Sequence, residues 1–118
     1  MNMTTDERQS ARAESRLLYG VHLVALLGEM PFAVAREFVL RYAQVLVRGM
    51  KTGKVSIAFG ERTLFNTDVM RFFANRDPEV SSVINSGIQG EDVFKLVSKE
   101  AFEGHCDKLE RHVVSLLG

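Results

Sequence analysis

The residues of this chain whose types are most suited to chemistry lie near its C-terminus, at His105, Cys106, Asp107 and His112. Zinc prefers Cys and His ligands. On a helix, His105 and His112 would share a face, but two turns separate them by about 10.5 Å, which is too far for one ion. A nucleophile and its base must be within hydrogen-bonding reach, and adjacent helical residues project about 100° apart. We therefore expect a buried structural cysteine flanked by two histidines.

A second chemical candidate is "GMKTGKV" at residues 49–55, which approximates a phosphate-binding P-loop. That motif has four residues between its glycines and a Ser or Thr after the lysine. Here three residues separate the glycines, and Val55 follows the lysine. We interpret the segment as the end of a helix, with Lys51 near its negative terminus and Gly53 as a left-handed cap.

The remaining titratable residues do not suggest a catalytic site. His22 lies in an apolar run, which is typical of a histidine in a core, and no two carboxylates are marked as a facing acid/base pair. We therefore expect a protein that is not an enzyme, with no metal, no cofactor and no small-molecule substrate.

Basic residues are concentrated between positions 36 and 54, where five of them accompany one acid, Glu37, for a local net charge of about +4. They are Arg36, Arg41, Arg48, Lys51 and Lys54. Such sets can contact nucleic-acid phosphates or an acidic partner. The alternative is a solvated helix face, compensated by acids at 91–92 or 77–79. No recognition-helix signature is present, so we expect DNA to be bound only weakly or through a partner.

The totals indicate an ordinary globular chain. The 118 residues are 46% hydrophobic, and 15 Lys and Arg balance 15 Asp and Glu. This predicts one domain over residues 1–118, with residues 1–5 disordered. One cysteine excludes an intramolecular disulfide. The N-terminus lacks an apolar signal-peptide core, and the longest apolar run falls short of the roughly 20 residues that span a bilayer. We expect a cytoplasmic protein that does not insert into membranes.

Hydrophobic periodicity predicts a mostly α-helical domain of about five helices with one short β-hairpin at residues 54–65. We expect helices from near Thr4 or Thr5 to Pro31, from Pro31 onward, from Asn66 or Thr67, from Asp77-Pro78-Glu79, and from Glu91 after a break at "INSGIQG".

The second helix has the clearest pattern in the sequence. Its polar stripe follows spacings of four, three, four and three, and comprises Glu37, Arg41, Gln44, Arg48 and Lys51. A broad apolar face lies beside and behind it, made of Phe38, Tyr42, Val45 and Gly49 with Val39, Leu46 and Met50. Such a pattern is typical of an amphipathic helix.

The hairpin is predicted from the alternation of Val55, Ile57 and Phe59 with small residues, followed by Gly60-Glu61 as a type II′ turn. An isolated hairpin is marginally stable in water. It must therefore pack on the helices or pair with the edge of a second copy. The second possibility makes Val55, Ile57 and Phe59 candidates for self-association.

The last helix offers a rival surface for self-association. Phe102, Cys106, Leu109, Val113 and Leu116 follow spacings of four, three, four and three. This seam covers about two heptads, too few for a coiled coil. Phe102, Leu109, Val113 and Leu116 could join two copies instead of the hairpin, so a homodimer is expected by either route.

Three segments follow one another along the chain: the run from Tyr19 to Leu27, "AQVLVRGMKTGK" followed by "VSIAF", and "INSGI" at 84–88. In these segments and in its order of elements the chain resembles FlhD, the small helical subunit of the bacterial flagellar master transcription activator. The resemblance covers residues 17–88. Two departures are a shorter spacing between the first two segments and Ser56 or Ile57 where the family has its dimer-linking cysteine. A third is that the sequence shows no counterpart of the family's DNA-contacting region, so no DNA-contact residue is carried over. The resemblance implies a dimeric, non-enzymatic regulator that works with a partner subunit at promoters.

Two functions therefore remain open. One is a small dimeric regulatory protein that acts through protein–protein contacts, including as a subunit of a transcription regulator. The other is an adaptor or chaperone of a secretion, conjugation or phage-assembly system. Met30, Met50 and Met70 suit an adaptable binding surface in the second case.

Overall fold

The structure, a computed structural model, describes residues 20–118, with side chains from His22 onward. These residues form six α-helices and no strand. The helices are α1 (Gly20–Gly28), α2 (Phe32–Thr52), α3 (Ile57–Thr63), α4 (Thr67–Ala74), α5 (Pro78–Leu96) and α6 (Lys99–Leu117). The mostly helical class is confirmed.

The buried side chains of the described helices form one hydrophobic cluster. The long helix α6 packs against both α2 and α5, and α4 packs between α1 and α5. The face of α2 that carries Val39, Leu46 and Met50 is buried in this cluster, as the apolar pattern predicts. No helix in the described part of the chain is long and apolar enough to cross a membrane.

The predicted hairpin at 54–65 is wrong, because this segment forms helix α3. The Oγ atom of Ser56 accepts a hydrogen bond of 3.0 Å from the Phe59 amide and caps the helix. Ile57, Gly60 and Leu64 recur at spacings of three and four, which is the period of one helical face. Gly60 and Leu64 are buried. The strand-like alternation covers only five residues. The Ser56 cap and the longer helical periodicity therefore determine the structure of this segment, which is a helix.

The predicted break at "INSGIQG" is also wrong, since α5 continues without interruption from Pro78 to Leu96. Its glycines allow close contact between elements. A Cβ atom on Gly87 would lie 2.0 Å from a ring carbon of Phe65, and one on Gly90 would lie 3.3 Å from the ring of Phe102. The last helix therefore begins at Lys99, not near Glu91.

Three predicted helix boundaries are confirmed. Gly53 ends α2 in the left-handed conformation, with φ of 79°. Asn66 caps α4 and Asp77 caps α5, each accepting a hydrogen bond from an amide three residues on. Pro31 lies at the N-cap of α2, one residue before the predicted position. The predicted start near Thr4 and the predicted disorder of residues 1–5 lie outside the described residues.

Candidate functional site

A half-open groove of about 520 Å³ lies where the end of α2, the start of α3 and the α5–α6 junction meet. We call it the corner groove. Its apolar lining comprises Met50, Val55, Ile57, Phe94 and Phe102. The lining comes from four helices and one turn, so the fold assembles a surface that no single segment of sequence displays.

The turn between α2 and α3 builds one wall of this groove. After Gly53 ends α2, the chain folds back, and the Val55 amide donates a 3.0 Å hydrogen bond to the carbonyl of Gly49. This contact needs a glycine, since a Cβ atom at position 49 would lie 2.5 Å from a methyl carbon of Val55. The segment that resembled a P-loop thus positions Val55 and Ile57 in the groove.

The α5–α6 junction forms the opposite wall and extends beyond it. The ring of Phe94 meets that of Phe102 edge to face, with 5.5 Å between centroids. Leu96 and Val97 follow Phe94 and are 80% and 69% exposed. Exposed apolar residues that adjoin an apolar groove are typical of a protein-binding surface.

Charged side chains line the polar part of the corner groove. Lys51, Lys99 and Glu103 contribute to its lining. The Nζ of Lys51 lies 2.5 Å from Oδ1 of Asp107. The hydrogen bond and charge of Asp107 raise the pKa of Lys51. Lys99, and Lys54 in the adjoining turn, are exposed and form no ion pair with any described residue.

The predicted set of basic residues is largely compensated by acids. Four of the five form ion pairs, with nitrogen–oxygen distances of 2.6, 2.9, 2.8 and 2.5 Å: Arg36 with Asp77, Arg41 with Glu37, Arg48 with Glu110 and Lys51 with Asp107. Of the acids expected to compensate them, Asp77 does so, whereas Glu91 pairs with Lys95. Of the two interpretations of these basic residues, the ion pairs favour a solvent-exposed helix face whose charges are balanced by acids over a set that is free to bind phosphate.

Arg36 joins three helices. Its Nε donates to Asp77 at the start of α5, and its Nη1 donates to the carbonyl oxygen of Leu116 in α6, at 3.2 Å. Partial burial disfavours the charged form of Asp77, but the hydrogen bonds from Arg36 and from the Val80 amide outweigh it and lower the pKa of this carboxyl. Arg36 of α2 is therefore held by Asp77 at the start of α5 and by the backbone at the end of α6.

The residues predicted for self-association fall in two places. Val55, Ile57 and Phe102 line the corner groove. Phe102, Leu109 and Val113, together with Cys106, are buried in the hydrophobic cluster, and Phe59 and Leu116 pack against that cluster in part. The seam of α6 is thus occupied by the chain's own helices, because a heptad-like spacing serves packing within one chain as well as between chains.

The His and Cys residues of α6 do not converge. Cys106 is buried, and burial together with the charge of Asp107 raises the pKa of its thiol to about 11. His105 donates through Nε2 to the carbonyl oxygen of Ser86, at 2.6 Å. Among residues 22–118, no three His, Cys, Asp or Glu side chains are placed to hold a metal ion.

The fold also brings together two carboxylates that the sequence did not mark as a pair. The carboxyl groups of Glu61 of α3 and Glu91 of α5 lie near enough to change each other's pKa. Partial burial and this contact raise the pKa of Glu61 to about 7, whereas the contacts with Glu61 and Lys95 lower the pKa of Glu91. Neither residue lines the corner groove. Thirty residues separate the two, so their proximity depends on the packing of α3 against α5.

No protein-family model, curated protein or solved structure matches this chain. The resemblance to FlhD stays a prediction. Its "VSIAF" strand has no counterpart here, since that segment leads into helix α3.

Proposed function

We propose that this chain is a small non-enzymatic protein that acts by binding another protein in the corner groove. The supporting observation is the groove itself, about 520 Å³ in volume and continuous in sequence with the exposed Leu96 and Val97. The exposed apolar surface at this site costs solubility unless a partner covers it.

The groove fits an amphipathic helix of a partner protein. Helices bind such grooves by inserting apolar side chains at spacings of three and four residues. Met50 and Phe94 offer adaptable and aromatic contacts to them. Lys54 and Lys99, which pair with no acid in the described part of the chain, favour an acidic residue on the polar side of that helix. Such a charge pair would add orientation more than affinity.

The ion pairs of the basic residues help to distinguish between the two proposed functions, a transcription regulator and a protein-binding adaptor. With Arg36, Arg41, Arg48 and Lys51 in ion pairs, phosphate binding would have to compete with contacts inside the chain. A protein-binding adaptor is therefore the reading that the charges support better. A transcription-regulator role, the alternative that the FlhD resemblance implies, would operate through a partner that supplies the DNA contacts.

The groove is tested by capturing proteins from the native cell extract with a tagged chain and identifying them by mass spectrometry. We expect Leu96→Glu to abolish capture of the specific partner, because it places a charge in the exposed apolar junction that follows Phe94, a lining residue of the groove. Val114→Glu is the matched control, an exposed valine about three turns along α6 from Phe102. Equal capture by the wild type and Leu96→Glu would overturn the proposal, as would the absence of any specific partner.

A further inference from the structure

The outer face of α2 carries an apolar stripe that the described helices leave uncovered. The side chains of Val34, Phe38 and Val45 are 52%, 41% and 64% exposed. Their spacing along the helix places all three on one face. Tyr42 borders this stripe; it packs in part against the hydrophobic cluster, and its ring centroid lies 6.0 Å from that of Phe38. The predicted apolar face of α2 thus divides into a buried part and this exposed stripe.

The stripe is nearly symmetric about its own centre, near residues 39 and 40. Val34 and Val45 lie at its two ends, and the aromatic residues Phe38 and Tyr42 lie on either side of the middle. If a second copy of α2 lies antiparallel across it, each valine meets a valine and each aromatic ring meets an aromatic ring. A two-fold interface requires this kind of self-complementary surface.

The charges beside the stripe distinguish between the two possible orientations. Glu37 and Arg41 are both well exposed on one edge, and their side chains form an ion pair of 2.9 Å. In an antiparallel two-fold pair, equivalent edges meet, and Glu37 lies opposite Arg41 of the partner subunit. A parallel two-fold pair would instead place this edge beside the opposite edge of the partner's stripe, where Glu37 and Arg41 would not meet their own copies.

We propose that the outer face of α2 binds a second copy of this chain in an antiparallel, two-fold arrangement. The predicted homodimer then uses neither the hairpin segment nor the α6 seam. The stripe extends over about 16 Å, or three turns. Since stable interfaces bury roughly 800 Å² per partner, this short contact gives a dimer that dissociates on dilution. The proposal does not depend on the corner groove.

The test is the molar mass in solution, measured by light scattering and sedimentation over a dilution series. We expect the wild type to shift from dimer to monomer, and Val45→Glu to raise the dissociation constant by about tenfold or more. Leu96→Glu, an exposed change at the end of α5 and not on α2, serves as the control and should dimerise like the wild type. A monomeric wild type at every concentration, or an unchanged Val45→Glu, would overturn the proposal.

Orientation is tested by disulfide cross-linking under mild oxidation. A mixture of Val34→Cys and Val45→Cys chains should form a mixed dimer, because the two positions face each other in the antiparallel arrangement. Val34→Cys alone should cross-link poorly, since its two copies would be separated by about 16 Å along the helix. The wild type is the blank, as its Cys106 is buried. Efficient cross-linking of Val34→Cys with itself would contradict the antiparallel geometry.

Discussion

At the scale of single residues, Arg36 and Asp77 show how an apparent binding residue can have a structural role. In the sequence, Arg36 belongs to a basic set that could contact phosphate. In the structure it joins α2 to the cap of α5 and to the last turn of α6. The side chain of Asp77 is mostly buried and accepts hydrogen bonds from both Arg36 and the Val80 amide.

We expect Asp77→Ala to destabilise the protein by about 1–2 kcal/mol or more, because it removes the helix cap and leaves Arg36 without its acid. Asp77→Asn retains a capping oxygen and should cost less. Urea denaturation measures both free energies of unfolding. Because the pKa of Asp77 is lowered on folding, its contribution is present at neutral pH and is lost as the pH falls through that value. Equal losses in the two variants would show that Asp77 does not act as a cap.

The Glu61–Glu91 contact predicts a dependence of stability on pH. A carboxyl group whose pKa rises on folding, here to about 7, stabilises the folded state at low pH, and this contribution is lost as the pH rises through 7. Ionised Glu61 then faces Glu91 and Asp92, and the positive charge of Lys95 offsets part of this repulsion. We expect the wild-type melting temperature to fall between pH 6 and pH 8.

The variant Glu61→Gln should remove most of that fall, because the amide does not ionise. Glu29→Gln is the control, an exposed acid in the turn after α1 that should leave the wild-type pH profile unchanged. The opposite shift of the Glu91 pKa acts at lower pH, so it does not mask the effect. If Glu61→Gln and the wild type lose the same stability between pH 6 and pH 8, the carboxyl contact is not its source.

At the scale of secondary-structure elements, the glycines of this chain have two different roles. Gly53 ends a helix, and it was predicted correctly because a left-handed cap depends only on neighbouring residues. The sequence predicts a turn at Gly60 and a break at Gly87, but both glycines lie inside helices, against Met50 and Phe65 respectively. The reason for such a glycine lies in distant residues, and local sequence patterns cannot show it.

The same distinction explains how much of the candidate site could be predicted. The caps at Asn66 and Asp77 were found because they are local, and Val55, Ile57 and Phe102 were identified as apolar residues with a possible binding role. Their convergence into one groove was not found, because it depends on α5 continuing through its glycines. Phe94 was missed for that reason, although the cluster "VFKLV" at 93–97 was a signal of an unusual apolar segment.

The close contact at Gly87 gives a stability prediction for α5. Gly87→Ala would force the buried ring of Phe65 to move, and we expect a loss of about 1–3 kcal/mol. The matched control is Gly104→Ala in α6, where nothing lies within 4 Å of the added methyl group. That change should stabilise the protein by about 0.5–1 kcal/mol through helix propensity. Thermal and urea unfolding measure both changes, and a neutral Gly87→Ala would contradict the packing described for α5.

At the scale of the whole molecule, the balance of charge is the dominant electrostatic feature. The formal net charge is zero, and the local excess of basic residues on α2 is compensated by acids from α2, α5 and α6. The described helices therefore present no large field of one sign that would attract a polyanion over long distances. Exposed apolar surfaces, at the corner groove and on the outer face of α2, are the more prominent features.

We therefore expect the isolated chain to show little salt-dependent binding to duplex DNA, as measured by fluorescence anisotropy at salt concentrations from about 50 to 200 mM. The double variant Arg41→Ala and Arg48→Ala should behave like the wild type. A strong decrease of wild-type affinity with salt that is flattened in this variant would instead support direct phosphate contacts, and with them the regulator reading.

The buried thiol of Cys106 has a practical consequence. It is the chain's one cysteine, it lies in the core, and its pKa of about 11 leaves about one molecule in a thousand as thiolate at pH 8. A thiol reagent can modify it only after α6 separates from its neighbours. The rate of modification under native conditions therefore measures how often this core opens, and a partner or a second copy that slows the opening would be detected without any added label.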